Sequence, residues 1–196
     1  MKTIKKTKEY IYQINGSKFI SICFYVEEIC TINDILSKLK SDHRKAKHIC
    51  FAYKIDDKQK FSDDNEPQNT AGKKILETIL INKLHNILIV VIRYMNGTKL
   101  GVGLLSRSYY HSSTLVTNDL ENICDLSLIN IYKITIELQR ANSIIEYLIK
   151  NKEIIFNKTL NENNLIIETS LNNQIINNFE NPIFIKKTYI KKTYNS

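Results

Sequence analysis

Six consecutive apolar residues, Ile87 to Ile92, narrow the folds open to this chain more than any other stretch. The run is mostly β-branched and does not alternate as a half-exposed strand would, so it predicts a strand covered on both faces. Such a strand needs a layer above it and another below. Arg93 follows at once, where the strand should surface. Burying that charge unpaired would cost several kcal/mol, so the position predicts a partner for it. Asn96, Gly97, Lys99, Gly101 and Gly103 then lead into an amphipathic helix expected from Gly103 to about Leu120, with Leu104, Leu105, Leu115, Val116 and Leu120 on its buried face. A glycine-rich turn that opens a helix presents free backbone N–H groups and the positive end of the helix dipole. With Arg93, Lys99 and Arg107 converging there, an anion or a nucleic-acid phosphate has a place to sit. The alternative is that the glycines only supply positive φ and close packing of helix on strand.

Upstream, Tyr10 to Ile14 and Lys18 to Val26 read as a hairpin across Asn15-Gly16. Thr31 followed by Asp34 reads as a capping box, with Ile32, Ile35, Leu36 and Leu39 on one helical face. The basic cluster His43, Arg44, Lys45 and Lys47 then reads as a solvated helix end that complements the dipole. A strand from Ile49 to Ile55 puts His48, Cys50 and Ala52 on one side and Ile49, Phe51 and Tyr53 on the other. His48 beside Cys50 does not specify a nucleophilic thiol, since nothing nearby supplies activation or an oxyanion hole. Asp63, Asp64 and Glu66 make an acidic loop stopped by Pro67. Carboxylates so placed could hold Mg²⁺ or work as acid and base. They could equally pair with Arg93, Lys73 or Arg107, or cap the helix that starts near Thr70 and buries Ile75, Leu76, Ile79, Leu80 and Leu84. Pairing and capping are the favoured reading, so no catalytic residue is assigned.

Asn118 to Leu128 has no clean period and reads as a boundary between residues 1–125 and 126–196. Beyond it the pattern is strand (Ile131 to Leu138), helix (Asn142 to Lys150), strand (Glu153 to Thr159), strand (Leu165 to Ser170), helix (Leu171 to Phe179) and strand (Ile183 to Tyr189). That βαββαβ order is the ferredoxin-like one, giving an α+β protein of two domains. The motif KKTY occurs twice, at Lys186 to Tyr189 and Lys191 to Tyr194. Lysines interleaved with aromatics suit single-stranded RNA, but an edge strand guarded by lysine is the favoured reason.

Three runs in order, His48 to Tyr53 (HxCFAY), Phe61 to Gly72 (FSDDxEPxxTAG) and Asn86 to Tyr109 (NxLxVVxRYxxGxKLGxGxLxRxY), resemble the signature of the YigZ/IMPACT family, in its bacterial two-domain form. The resemblance covers roughly residues 10 to 125. It departs at Asn65, Asn69 and Asn96, where the family pattern has glycine and where asparagine tolerates the left-handed region. It departs too at Leu104, in place of a further glycine, and at Lys74, in place of proline. The resemblance implies a first domain similar to the second domain of a small-subunit ribosomal protein and to a domain of elongation factor G, and a second domain similar to a translocation-factor domain. Eukaryotic relatives restrain a starvation-responsive translation-initiation kinase, a partner that bacteria lack. For this chain the resemblance therefore implies a translation-linked binding protein and establishes no enzymatic activity.

Charge points the same way, with a net +8 and a pI near 9.2 that favour polyanions such as RNA or the ribosome. The four cysteines stand without CxxC pairing or histidines at zinc-ligand spacing, so neither a disulfide framework nor an obligate metal is expected, and no cofactor. The Lys-rich start precedes no apolar signal core and no run reaches a membrane span, which predicts a cytoplasmic protein without a membrane partner. The leading expectation is a non-enzymatic regulator that contacts RNA, the ribosome or a translation factor. The rival is a hydrolase for a phosphorylated or peptide substrate, built from His48, Asp63, Asp64, Glu66 and Arg93.

Overall fold

The computed structural model describes residues 1–97 and 99–191. In chain order its regular elements are β1 (Lys2–Ile4), β2 (Lys8–Ile14), β3 (Ser17–Tyr25), α1 (Ile29–Asp42), β4 (His48–Ile55), β5 (Lys58–Ser62), α2 (Gly72–Ile81), β6 (Ile87–Met95) and α3 (Val102–Thr117). They continue with β7 (Ile123–Glu137), α4 (Ala141–Lys150), β8 (Ile155–Asn161), β9 (Asn164–Ser170) and β10 (Ile183–Lys191). The contacts divide the chain into two units: Met1–Leu126 joined by Lys191 from the far end, and Ser127–Ile190. Lys191 belongs with the first unit because its Nζ donates to the Lys5 carbonyl at 3.0 Å and stands 4.0 Å from the Tyr25 ring centroid. The split at residue 126 is therefore not clean in sequence.

In the first unit β6 is the middle strand of an antiparallel sheet ordered β2-β3-β6-β4-β5. Its alternate residues enter different cores. Ile87, Ile89 and Val91 pack with Ile75, Leu76 and Ile79 of α2 and Leu105, Tyr109 and Val116 of α3. Leu88, Val90 and Ile92 pack with Ile32 and Leu39 of α1. All six are fully buried, and at about 1.5–3 kcal/mol per side chain they contribute on the order of 10 kcal/mol before entropy. On β4, Cys50 and Ala52 join the first core while Ile49 and Tyr53 join the second, as the two-residue period requires. The β2–β3 turn takes positive φ at both Asn15 and Gly16, the twist that matches a two-residue hairpin. A Cβ on Gly16 would stand 2.0 Å from the Asn96 carbonyl oxygen, so this glycine also lets the hairpin seat against the chain leaving β6.

Several local expectations are corrected. Helix α1 starts at Ile29 behind an extended Glu28, so Thr31 lies inside the first turn and no capping box forms. The link from β3 is short because Val26 is buried with its N–H held by the Asn86 carbonyl. Helix α2 starts two residues past Thr70, whose hydroxyl donates to the Pro67 carbonyl instead of capping. Helix α3 ends at Thr117; Leu120, 79% exposed, sits in a 3-10 turn capped by the Asp119 side chain. Leu80 of α2 is likewise exposed. Strand β1 was not expected from its lysine-rich sequence, yet Thr3 and Ile4 are fully buried where β1 pairs with the start of β7.

In the second unit the sheet order is β10-β7-β9-β8, with α4 over a core of Ile134, Ile136, Leu148 and Ile167. The helix expected over Leu171 to Phe179 is absent, apart from one 3-10 turn at Ile176–Asn178. The Asn172 side chain accepts from the Gln174 and Ile175 amides, and Glu153 holds the Asn172 amide. The Asn172 bonds cap a single turn, which goes no further because the chain turns extended at Phe179, three residues before Pro182. Of the second KKTY repeat only Lys191 lies within the described residues. Among those residues no helix is long and apolar enough to cross a membrane.

Candidate functional site

Arg93 does not face outward. It is 4% exposed, and its Nη1 donates to Glu66 Oε1 at 2.6 Å while Nη2 stands 3.4 Å from Ser17 Oγ. Its guanidinium carbon lies 5.6 Å from the Phe19 ring centroid, and Phe19 in turn meets Tyr109 edge-on. Tyr109, fully buried on α3, donates its hydroxyl to the same Glu66 oxygen at 2.9 Å. The expected partner of Arg93 is therefore internal. A charge placed on the α2–α3 side of β6, under α3, has no route to solvent, and Glu66 is carried down to meet it.

The acidic loop folds in on itself to allow this. Asp64, Asn65 and Asn69 all adopt positive φ, the conformation asparagine and aspartate tolerate best among residues with a side chain. Asp63 points one carboxylate oxygen at the Ala71 and Gly72 amides, at 3.0 and 2.8 Å, and the other at the Asn69 amide, at 2.8 Å. It is the remote cap of α2 that Thr70 does not supply. Asp64 accepts from the Ile49 amide at 2.7 Å, which fixes the start of β4. His48 Nδ1 is 2.7 Å from the Asp64 carbonyl, so Nδ1 must carry a proton, and Nε2 points toward Glu66 Oε2 at 3.7 Å. Cys50 Sγ lies 3.0 Å from the Asp63 carbonyl and 3.4 Å from the Tyr109 hydroxyl. Burial pushes its thiol well above the ordinary range, which leaves it protonated and a poor nucleophile. The hydrolase cleft is thus not assembled: His48, Asp63, Asp64 and Glu66 are committed to backbone amides, carbonyls and each other. Among the described residues no group of three acidic, histidine or cysteine side chains stands where it could hold a metal ion.

The other predicted anion contacts do reach the surface. Gly97, Lys99, Gly101, Gly103 and Arg107 are exposed. Gly101 takes φ +70 at the cap of α3, with no side chain capping the helix and no acid in its first turn. Among the described residues no acceptor meets the Gly103 and Leu104 amides. A Cβ on Gly103 would stand 3.7 Å from Arg107 Nη1, so the guanidinium folds back over the first turn of the helix. Arg44, Lys45 and Lys47 lie exposed just past the end of α1, as the helix-end reading has it, but sequence reasoning did not place them beside β6. The Lys47 amide donates to the Arg93 carbonyl and His48 pairs with Arg93 across the sheet, which brings this exposed cluster to the end of the sheet where β6 gives way to α3. Lys18 joins them by pairing with Tyr94. The available signal was that Lys47 directly precedes the strand that pairs with β6. Tyr109 was missed as well, although it closes the third sequence run.

A family model described as the Impact N-terminal domain matches residues 15–117, a span that contains every candidate residue above. Over 110 residues the chain is 38% identical to the IMPACT family member YvyE of Bacillus subtilis (strain 168), covering 55% of this chain and 51% of that protein. Over 104 residues it is 33% identical to the IMPACT family member YigZ of Escherichia coli (strain K12), covering 50% and 51%. The chain spans about half the length of the curated relatives it matches. A crystal structure of a hypothetical protein is similar to it with a TM-score of 0.67 at 22% identity, over 91% of this chain and 88% of that one. What that likeness shows is a shared fold.

Proposed function

The chain belongs to the family of the Impact N-terminal domain, the YigZ/IMPACT family, and from that premise we propose that it is a non-enzymatic, translation-linked binding protein that contacts RNA, free or within the ribosome. The contact surface is the end of the first sheet that carries Lys99, Arg107, the Gly103 and Leu104 amides at the start of α3 and the Arg44 to Lys47 cluster. One observation carries this reading. The carboxylates of the acidic loop, Asp63, Asp64 and Glu66, are turned inward and consumed, so they do not neutralise the cations outside. Arg93 serves as the strut that holds Glu66 and α3, not as a phosphate contact. A helix start without an acidic cap, beside Lys99 and Arg107, suits an anion, and a phosphodiester backbone supplies several in a row.

The first unit is read as similar to the second domain of a small-subunit ribosomal protein. The second is read as ferredoxin-like, with its second helix reduced to a 3-10 turn, a reading supported by the β10-β7-β9-β8 order. The protein is proposed to act in the cytoplasm. Binding of a fluorescein-labelled oligouridine, followed by anisotropy across salt concentrations, tests the function. Log K should fall steeply and linearly with log salt. A flat dependence, or no binding at low salt, would overturn the RNA reading and leave a translation factor as the partner to examine.

A further inference from the structure

The second unit carries a surface that the RNA reading does not use. Strand β10 pairs with β7 and, among the described residues, with no other strand, so its outer edge offers unpaired backbone groups. Its first three residues are apolar and exposed: Ile183 by 61%, Phe184 by 50% and Ile185 by 39%. Lys186 and Lys187 follow, both exposed. The opposite edge, β8, is protected differently, with a register shift between Ile155 and Asn157 and polar residues from Asn157 to Thr159. Lysines guard β10 only from residue 186 onward.

We propose that Ile183 to Lys187 is a docking edge for an extended segment of a partner protein, added as a further strand that is apolar opposite Ile183 to Ile185 and acidic opposite Lys186 and Lys187. Backbone pairing would supply affinity and alternate side chains the choice of partner. Phe184 turns toward Tyr132, with ring centroids 5.6 Å apart, so strand alternation sets Ile183 and Ile185 on the other face. The added strand therefore finds an apolar neighbour on each side of the sheet. Every charged residue of β10 is a lysine, which selects acidic side chains in the partner. It also disfavours a second copy of this chain, which would gather the lysines of both strands on one ribbon. The accessible edge is about 17 Å long, enough for about five paired residues. Past it the strand is half-buried, and Lys191 is held by Lys5 and Tyr25.

The test uses the full chain and a fluorescein-labelled heptapeptide with a block of valines beside a block of glutamates, with the same peptide carrying lysines in place of the glutamates as control. The acidic peptide should bind, and alternate amides between Ile183 and Lys187 should exchange more slowly with deuterium in its presence. Ile185→Asp should weaken binding by about tenfold or more, the size of a hot-spot loss. The exposed double change Lys186→Glu with Lys187→Glu should shift preference to the lysine peptide, which keeps the test decisive if Ile185→Asp folds poorly. Lys99→Ala with Arg107→Ala should leave peptide binding unchanged, separating this edge from the RNA surface. Equal binding of both peptides, no protection of β10, a dimer in sedimentation that protects β10 without peptide, or displacement of the peptide by oligouridine would each overturn the proposal.

Discussion

At the scale of single residues, the consequential contact is the buried pair of Arg93 and Glu66. Buried pairs add little net stability over an apolar substitute, but removing one member strands the other charge. Glu66→Ala should therefore cost about 3–5 kcal/mol in a denaturant titration, and a loss under about 1 kcal/mol would show that Arg93 reaches water by another route. The sequence announced that Arg93 needs a partner, since a cation at the end of a wholly apolar strand has to be met. It did not identify Glu66, because the two lie 27 positions apart and meet only when the loop folds under α3. Asp119 makes a second case. Its carboxylate accepts from Lys8 at 2.6 Å and from Tyr10 at 2.5 Å, and the Lys8 bond holds it down to about 2. A carboxyl depressed in the folded state stabilises above its unfolded value of about 3.9 and loses that contribution as pH falls toward 2. The stability gap between wild type and Asp119→Asn should accordingly be full at pH 6 and close progressively between about pH 4 and pH 2. A gap that does not change with pH would contradict it.

At the scale of elements, α2 depends on a loop outside itself. Asp63→Ala removes the acceptor of three amides near the helix start and should cost about 2 kcal/mol, at the upper end for a cap. Thr70→Ala should cost less, since Thr70 bonds only the Pro67 carbonyl. Gly72 sits where a Cβ would stand 2.4 Å from the Ser62 carbonyl oxygen, so Gly72→Ala must push α2 off the end of β5. A cost of about 1–3 kcal/mol is expected, with thermal melts as the measurement. The strands were legible because β4 and β6 carry unambiguous patterns of apolar residues. Helix ends were not, since their caps come from residues distant in sequence (Asp63) or from backbone alone (Glu28). The second helix of the C-terminal unit was misread because Ile175, Ile176 and Phe179 have helical spacing and Asn172 caps their first turn, but the chain turns extended at Phe179 ahead of Pro182. Strand β1 was hidden by its composition, with Thr3 and Ile4 buried between lysines.

At the scale of the whole molecule, a net charge of +8 has meaning only through its placement. The first unit spends the carboxylates of its acidic loop on its own backbone and on Arg93, and leaves cations from three separate stretches, around Lys18, Lys47 and Lys99, at one end of its sheet. Convergence of that kind is set by strand pairing, which is why the Arg44 to Lys47 cluster read as a mere helix end in sequence. The proposed anion surface was half legible: Gly97, Lys99, Gly101, Gly103 and Arg107 are exposed, while Arg93 is buried against Glu66 as a support. The decisive measurement is the salt dependence of oligouridine binding for wild type against Lys99→Ala with Arg107→Ala. Losing two phosphate contacts should flatten the slope of log K against log salt by about 1.4, with the unfolding midpoint unchanged. An unaltered slope would place the RNA elsewhere and contradict the account.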